Sequence, residues 1–281
     1  MSKKYTYLLY YLFQFIFAMC LFGLIVLLTL KVTVLRPNYI LDKLEKNNYY
    51  VELDKDIKNE MSYYIGQSGF EEEILDNLYT IDELKYIVEC YINGFYNNGS
   101  LDVKKINVEN KLRSNIDTYI SNRVIEIGNQ KDLDKFITEM GNIYENKITY
   151  SKMFNKYGWV LNKLNNYVNI VLILCIVFIV MLYIVLKYGL KKNVFAVSLL
   201  TTSIIIGLIL YYVGSMMFIE DLYLFNKYSS IVIKDILLSM FRIFSAITII
   251  CFVIGTLLSI INTDYWLDKK VSKKKKLSRK W

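Results

Sequence analysis

Four stretches of this sequence are long and free of charge: Tyr7 to Leu30 (24 residues), Val168 to Leu186 (19), Val194 to Ile219 (26) and Ile243 to Ile261 (19). At about 1.5 Å of helical rise per residue each can cross a hydrocarbon layer about 30 Å thick. Only a helix satisfies its own backbone hydrogen bonds in that medium without closing a barrel. The fold class that follows is all-α: a polytopic membrane protein with four transmembrane helices. A helical extracytoplasmic domain is inserted between the first and the second.

The first run is read as an anchor. A cleaved signal peptide has a shorter apolar core and a small-residue cleavage site. Phe17-Ala18-Met19-Cys20 has the outline of a lipoprotein box, but Met19 stands where a small residue is needed. The fourth span is taken to begin near Ile236, which puts Arg242 inside it with its guanidinium reaching back to the interface.

Orientation follows from the basic residues beside the spans. Lys3 and Lys4 precede the first, Lys187, Lys191 and Lys192 separate the second from the third, and a lysine-rich tail follows the fourth. With four spans all three clusters face one side, and that side is cytoplasmic. The expected layout is a cytoplasmic N-terminus 1–6, spans 7–30, 168–186, 194–219 and 237–261, and a cytoplasmic loop 187–193. Residues 31–167 form the extracytoplasmic domain, 220–236 an outer loop, and 262–281 a basic cytoplasmic tail. The expected location is the plasma membrane, with both termini cytoplasmic. Tyr5, Tyr7, Tyr10, Tyr11, Tyr183, Tyr188, Tyr265 and Trp266 fall at the inner interface, and Tyr167, Tyr211, Tyr212 and Phe218 at the outer one.

Charge distribution supports the division. The net charge is +8. Residues 31–167 carry 18 basic and 21 acidic side chains, a net of −3, and the remainder carries 16 against 5, a net of +11. Lysine abundance alone is a weak signal in a chain this rich in Lys, Ile, Asn and Tyr, all encoded by AT-rich codons.

Within 31–167 the apolar spacing is helical. One pattern runs from Ile40 through Leu44, Leu53, Ile57 and Met61 to Ile65, with Gly66 and Gly69 as stops. Thr80-Ile81-Asp82-Glu83 fits a capping box that opens a helix through Leu84, Val88, Tyr91 and Phe95. Asn97-Asn98-Gly99-Ser100 is a turn. A third helix is expected from Val108 to Ile127, and a fourth carries Leu133, Ile137, Met140 and Tyr144. The chain beyond, through Trp159 and Leu164, is expected to run unbroken into the second span. Five or six helices are expected in this bundle. Lys31 to Leu35 is the only β-like stretch.

The chain contains no histidine, which removes the Ser-His-Asp and Cys-His triads and imidazole metal ligation. No phosphate-cradling glycine loop, nucleotide fingerprint or catalytic signature is found, and the reading is non-enzymatic, with no catalytic, cofactor or metal site. Glu71-Glu72-Glu73 with Asp76, and Asp54 with Asp56, do not match a calcium loop. Glu71 to Glu73 are read as first-turn acids of a helix beginning near Phe70. Cys20, Cys175 and Cys251 lie in three different spans and Cys90 is alone in the outer segment, so no disulfide is expected within that segment.

Candidate site residues are of three kinds. Lys269, Lys270, Lys273, Lys274, Lys275, Lys276, Arg279 and Lys280 are read as contacts to an anionic inner leaflet, where each cation contributes about 1 kcal/mol; Trp281 alone gives little support for nucleic-acid binding. Ser203 with Gly207, and Gly255 with Ser259, are read as helix-packing pairs. Glu220 and Asp221 are candidates to pair with Lys234 or Arg242 and tie the third span to the fourth. Gln14, Ser198, Thr201 and Thr202 are the polar groups a transport path would use, but no charge lies centrally in any span.

The segment Thr33-Val34-Leu35 through Asn47-Asn48-Tyr49-Tyr50, with Gln67-Ser68-Gly69 after it, together with the one-plus-three arrangement of spans, resembles uncharacterised four-span integral membrane proteins of AT-rich Gram-positive bacteria. That resemblance implies a bacterial cell membrane and no particular activity. The expected role is binding of a protein partner or an envelope ligand by the outer domain, in sensing, assembly or as an accessory. Expected partners are the lipid bilayer and either another protein or further copies of this chain. The alternative is a channel or transporter subunit formed by oligomerisation of the four spans.

Overall fold

The computed structural model describes residues 3–96, 105–123, 128–149, 153–190, 194–215 and 227–278. Among these it is all-helical, without a strand: α1 (Lys3–Val32), α2 (Pro37–Lys46), α3 (Tyr49–Ser68), α4 (Ile81–Tyr96), α5 (Lys105–Arg123), α6 (Gln130–Thr149), α7 (Met153–Leu190), α8 (Val194–Ser215) and α9 (Lys227–Ser278), with one 3-10 turn at Glu72–Leu75. The β-like reading of Lys31 to Leu35 is corrected, since α1 continues through Val32. Four segments are long and apolar enough to cross a membrane: Tyr11–Val32, Lys163–Ile184, Phe195–Val213 and Lys227–Ile261. Their outward faces carry Ile173, Leu174, Leu208 and Ile261, each more than 60% exposed. An apolar surface of that extent suits lipid and not water.

The chain forms two compact units. The spanning unit comprises Met1–Thr33, Tyr167–Leu222 and Lys234–Trp281. Its main packing is α1 against α8. Phe17, Ala18, Ala196 and Thr202 are fully buried there, and Phe17 meets the Phe195 ring edge-on at 6.5 Å. Small residues let the two backbones approach, and the Thr202 hydroxyl reaches the Ala18 carbonyl at 3.1 Å as well as its own Ser198 carbonyl at 2.8 Å. Several other span hydroxyls are satisfied within their own helix: Thr29 donates to Ile25 O, Ser245 to Phe241 O and Thr248 to Phe244 O.

The second unit comprises Val34–Asn166 and Tyr223–Ile233. Arg36 is extended (φ −110°, ψ 113°), as a residue before proline must be, and Pro37 opens α2, where its missing N–H costs nothing. The single apolar pattern expected from Ile40 to Ile65 is in fact two helices. Asn47 donates its side-chain amide to the Lys43 carbonyl at 2.8 Å and Asn48 takes a left-handed conformation (φ 54°), which turns the chain between α2 and α3. Helix α3 passes through Gly66 and stops at Gly69 (φ 81°). Leu53, Ile57, Met61 and Ile65 of α3, Leu84 of α4, Leu112 and Ile116 of α5, and Met140 and Tyr144 of α6 are at most 1% exposed and form the core.

The capping box is present. The Thr80 amide donates to Glu83 Oε2 at 2.9 Å and the Glu83 amide donates to Thr80 Oγ1 at 3.1 Å. Helices α5 and α6 approach closely at Gly141, where a Cβ would fall 2.6 Å from Glu109 Cγ. The expected end of the third helix at Ile127 lies outside the described residues, as does the Asn97–Ser100 turn. Chain continuity from the bundle into the second span is found in the 38-residue α7. Residues 227–236, assigned from sequence to a loop, are helical. Tyr228 and Val232, one turn apart, are buried on one face, and that burial outweighs the low helix preference of Ile231-Val232-Ile233.

Candidate functional site

The end of α3, the end of α5 and the start of α6 enclose a cleft of about 410 Å³ in the second unit. Its floor is apolar, with Ile120 and Leu133, and its walls are aromatic. Phe70 lies 5.8 Å from the Tyr119 ring in an edge-to-face pair and 5.7 Å from Phe136 in a tilted pair. Gly69 places Phe70 there: its left-handed backbone ends α3 and turns the chain across the bundle. Ser68 holds the turn, its hydroxyl donating to the Ile65 carbonyl at 2.8 Å.

Asn129 and Asp132 form the polar rim. Asn129 caps α6 through Oδ1, which accepts the Lys131 amide at 3.0 Å, while its Nδ2 donates to Asp132 Oδ2 at 2.8 Å. Asp132 is therefore held in place by one oxygen, beside the positive end of α6.

Behind Tyr119 sits Arg123. Its guanidinium lies over the Tyr119 ring, 4.3 Å from the centroid, and Nη1 donates to the Tyr119 hydroxyl at 2.8 Å. It also grips Glu71 with both amino groups and reaches Glu73 Oε1 at 3.0 Å. The hydrogen bond from Arg123 lowers the Glu71 pKa below the usual carboxylate range, and that bond to Glu71 raises the arginine's own. Glu72 and Glu73 are first-turn acids, as read from the sequence, but the helix starts at Glu72 and not near Phe70 and is one 3-10 turn long. Glu71 precedes a single 3-10 turn, and two of the three carboxylates serve to orient Arg123. Asn115 locks that turn, donating Nδ2 to the Ile74 and Asp76 carbonyls at 2.9 and 2.8 Å.

A second polar network lies elsewhere in the same unit. Asp56 Oδ2 accepts from Lys147 Nζ at 3.0 Å and from the Tyr228 hydroxyl at 2.9 Å, and Lys147 pairs with Glu60 at 2.6 Å. Burial works against the Lys147 charge, but hydrogen bonds to Glu60 and Asp56 outweigh it and its pKa is raised. The Tyr49 ring packs edge-on against Tyr228 at 5.2 Å.

The residues singled out from sequence are dispersed. Gly255 is buried against α8, where a Cβ would lie 3.0 Å from Leu200 Cγ and 3.2 Å from the Ala196 carbonyl oxygen. Ser203 is buried and donates to the Leu200 carbonyl at 2.8 Å, whereas Gly207 has open space where a Cβ would stand, and Ser259 is half-buried. Gln14 and Ser198 are both buried, and neither Gln14 Nε2 nor Ser198 Oγ finds a hydrogen bond among the described residues. Lys234 and Arg242 lie on α9, while Glu220 and Asp221 fall outside the described residues. Lys269, Lys270 and Lys273 to Lys276 are on the last turns of α9, and Arg279 and Lys280 lie outside the described residues. All four cysteines are free. Among the described residues no three Cys, Asp or Glu side chains gather where they would hold a metal ion.

Sequence reasoning missed the cleft, Arg123 and the Asp56–Tyr228 contact. Each joins segments far apart in the chain, 52 residues for Arg123 with Glu71 and 172 for Tyr228 with Asp56. The stop signal at Gly69 was the one local trace. No known protein family, curated protein or solved structure matches the chain.

Proposed function

We propose that this chain is a multi-pass plasma-membrane protein that holds the helical unit 34–166 on the outer side and uses it to bind a partner or envelope ligand. The cleft between α3, α5 and α6 carries the reading: a concave aromatic surface with one rim carboxylate is the form of a small-ligand or side-chain pocket. The positive-inside rule supports the orientation, with eight basic residues after residue 268 and the −3 segment between the first two spans. No catalytic step is assigned.

Gentle solubilisation of the full-length chain from native membranes tests this. What the cleft binds co-purifies with the unaltered protein and is lost from Phe136→Ala. Identical co-purified material from both would contradict it.

One observation favours a second reading. Gln14 Nε2 and Ser198 Oγ are buried in the spanning unit without a hydrogen-bond partner among the described residues, a costly arrangement in lipid unless water or an ion meets them. An oligomeric pore through the spans would supply that contact. Ion flux across liposomes containing the purified chain, abolished by Gln14→Leu, is its signature.

A further inference from the structure

We infer that the cleft at the start of α6 takes a compact organic ammonium group, held against the paired rings of Phe70 and Phe136 with Asp132 as its counter-ion; this rests on the reading that the cleft is a binding site. Size limits the occupant first. About 410 Å³ is near the lower end of ligand pockets and far too small for a helix, so it admits a small molecule or one side chain.

Charge then selects the sign. Among the described residues lining the cleft, Asp132 is the only charged one. One of its oxygens is engaged by Asn129 and the other has no partner among the described residues. Arg123, behind Tyr119, is committed to Glu71, Glu73 and Tyr119, and the exposed Lys131 and Lys135 of α6 are not among the described residues that line the cleft. An anion would find no cation among the described residues of the lining.

The aromatic walls complete the match. The Tyr119 ring is covered by Arg123 on its face and by Phe70 at its edge, so it serves as support. Phe70 and Phe136 are each half-buried and offer ring surface to an occupant. A cation within about 6 Å of such faces is attracted by the ring quadrupole, and methyl groups on nitrogen add apolar contact. A bare metal ion gains nothing from these walls, whereas an alkylated ammonium uses walls and carboxylate together.

Choline and its neutral isostere 3,3-dimethylbutan-1-ol differ only in the charged nitrogen. Their binding to the full-length chain in dodecyl maltoside is read by saturation-transfer NMR on the probe methyl signals, with empty micelles subtracted. Choline is expected to bind saturably and at least about tenfold more tightly than the isostere, a gap within the range of one ion pair plus cation–π contact. Asp132→Asn should remove the difference, and Asp134→Asn, on the same helix but paired with Arg113 at 2.6 Å, should leave it intact. Phe136→Leu should weaken choline while the thermal transition persists. Equal binding of both probes would overturn the ammonium assignment and leave the cleft a plain apolar pocket. Binding of neither would overturn it too, and the co-purification comparison with Phe136→Ala would then decide the broader reading separately.

Discussion

Tyr228 donates its hydroxyl to Asp56 Oδ2 at 2.9 Å, so the first turn of α9 is fastened to the middle of α3 within the second unit. The tyrosine is 8% exposed and its ring packs on Tyr49, so burial and hydrogen bond act together. Tyr228→Phe keeps the ring and removes the bond. The expected loss is about 1 kcal/mol of stability, with faster hydrogen exchange confined to the start of α9. Exchange unchanged across residues 227–233 would show that the contact holds nothing.

Gly141 of α6 faces the Glu109 side chain so closely that a Cβ fits only if that side chain shifts. Gly141→Ala should therefore destabilise the unit by about 1–3 kcal/mol, even though alanine is the better helix former. Glu109→Ala in the same chain should restore most of the loss. Thermal unfolding of the two single variants and the double variant reads the coupling, and simple additivity would refute the clash.

The capping box makes a prediction with a pH dependence. The Thr80 amide lowers the pKa of Glu83, and Arg123 lowers that of Glu71. Because both folded-state values are depressed, the stability they contribute is present above the ordinary carboxylate value of 4.5 and is lost as pH falls through the lower folded value. Thermal midpoints measured from pH 6 down to pH 3 should fall for the unaltered chain. Glu83→Gln should flatten part of that fall, and Thr80→Ala should cost about 1 kcal/mol at neutral pH.

In the spanning unit, Gly255 and Thr202 mark the tight contacts of α8. Gly255→Leu should separate α9 from Ala196 and Leu200, and Thr202→Val should remove the bond to Ala18 while keeping the volume. The first is expected to lower the detergent unfolding temperature clearly. The second should cost about 0.6 kcal/mol, typical of one interhelical hydrogen bond in a membrane.

Local chemistry was legible in the sequence where one short segment decides the outcome. Runs of 19 or more uncharged residues left four spans as the economical reading, and Thr80 with Glu83 was recognisable because both halves of the box lie within four residues. The break at Asn47-Asn48 was hidden because Leu44 and Leu53 keep the apolar pattern going on either side of it. Only the left-handed Asn48 reveals the turn, and asparagine adopts that conformation in some contexts and not in others. The cleft was hidden for a different reason. Phe70, Tyr119 and Phe136 read individually as core residues, and their meeting depends on how α3, α5 and α6 pack.

The proposed binding role requires the helical unit to lie on the outer side of the membrane. In a chain whose four cysteines are replaced by serine or alanine, Glu72→Cys and Lys270→Cys place single thiols in the unit and in the basic tail. With a membrane-impermeant maleimide on intact cells, the thiol at 72 should label at once and the thiol at 270 only after permeabilisation. Labelling at 270 with protection at 72 would contradict the orientation and the proposed binding role.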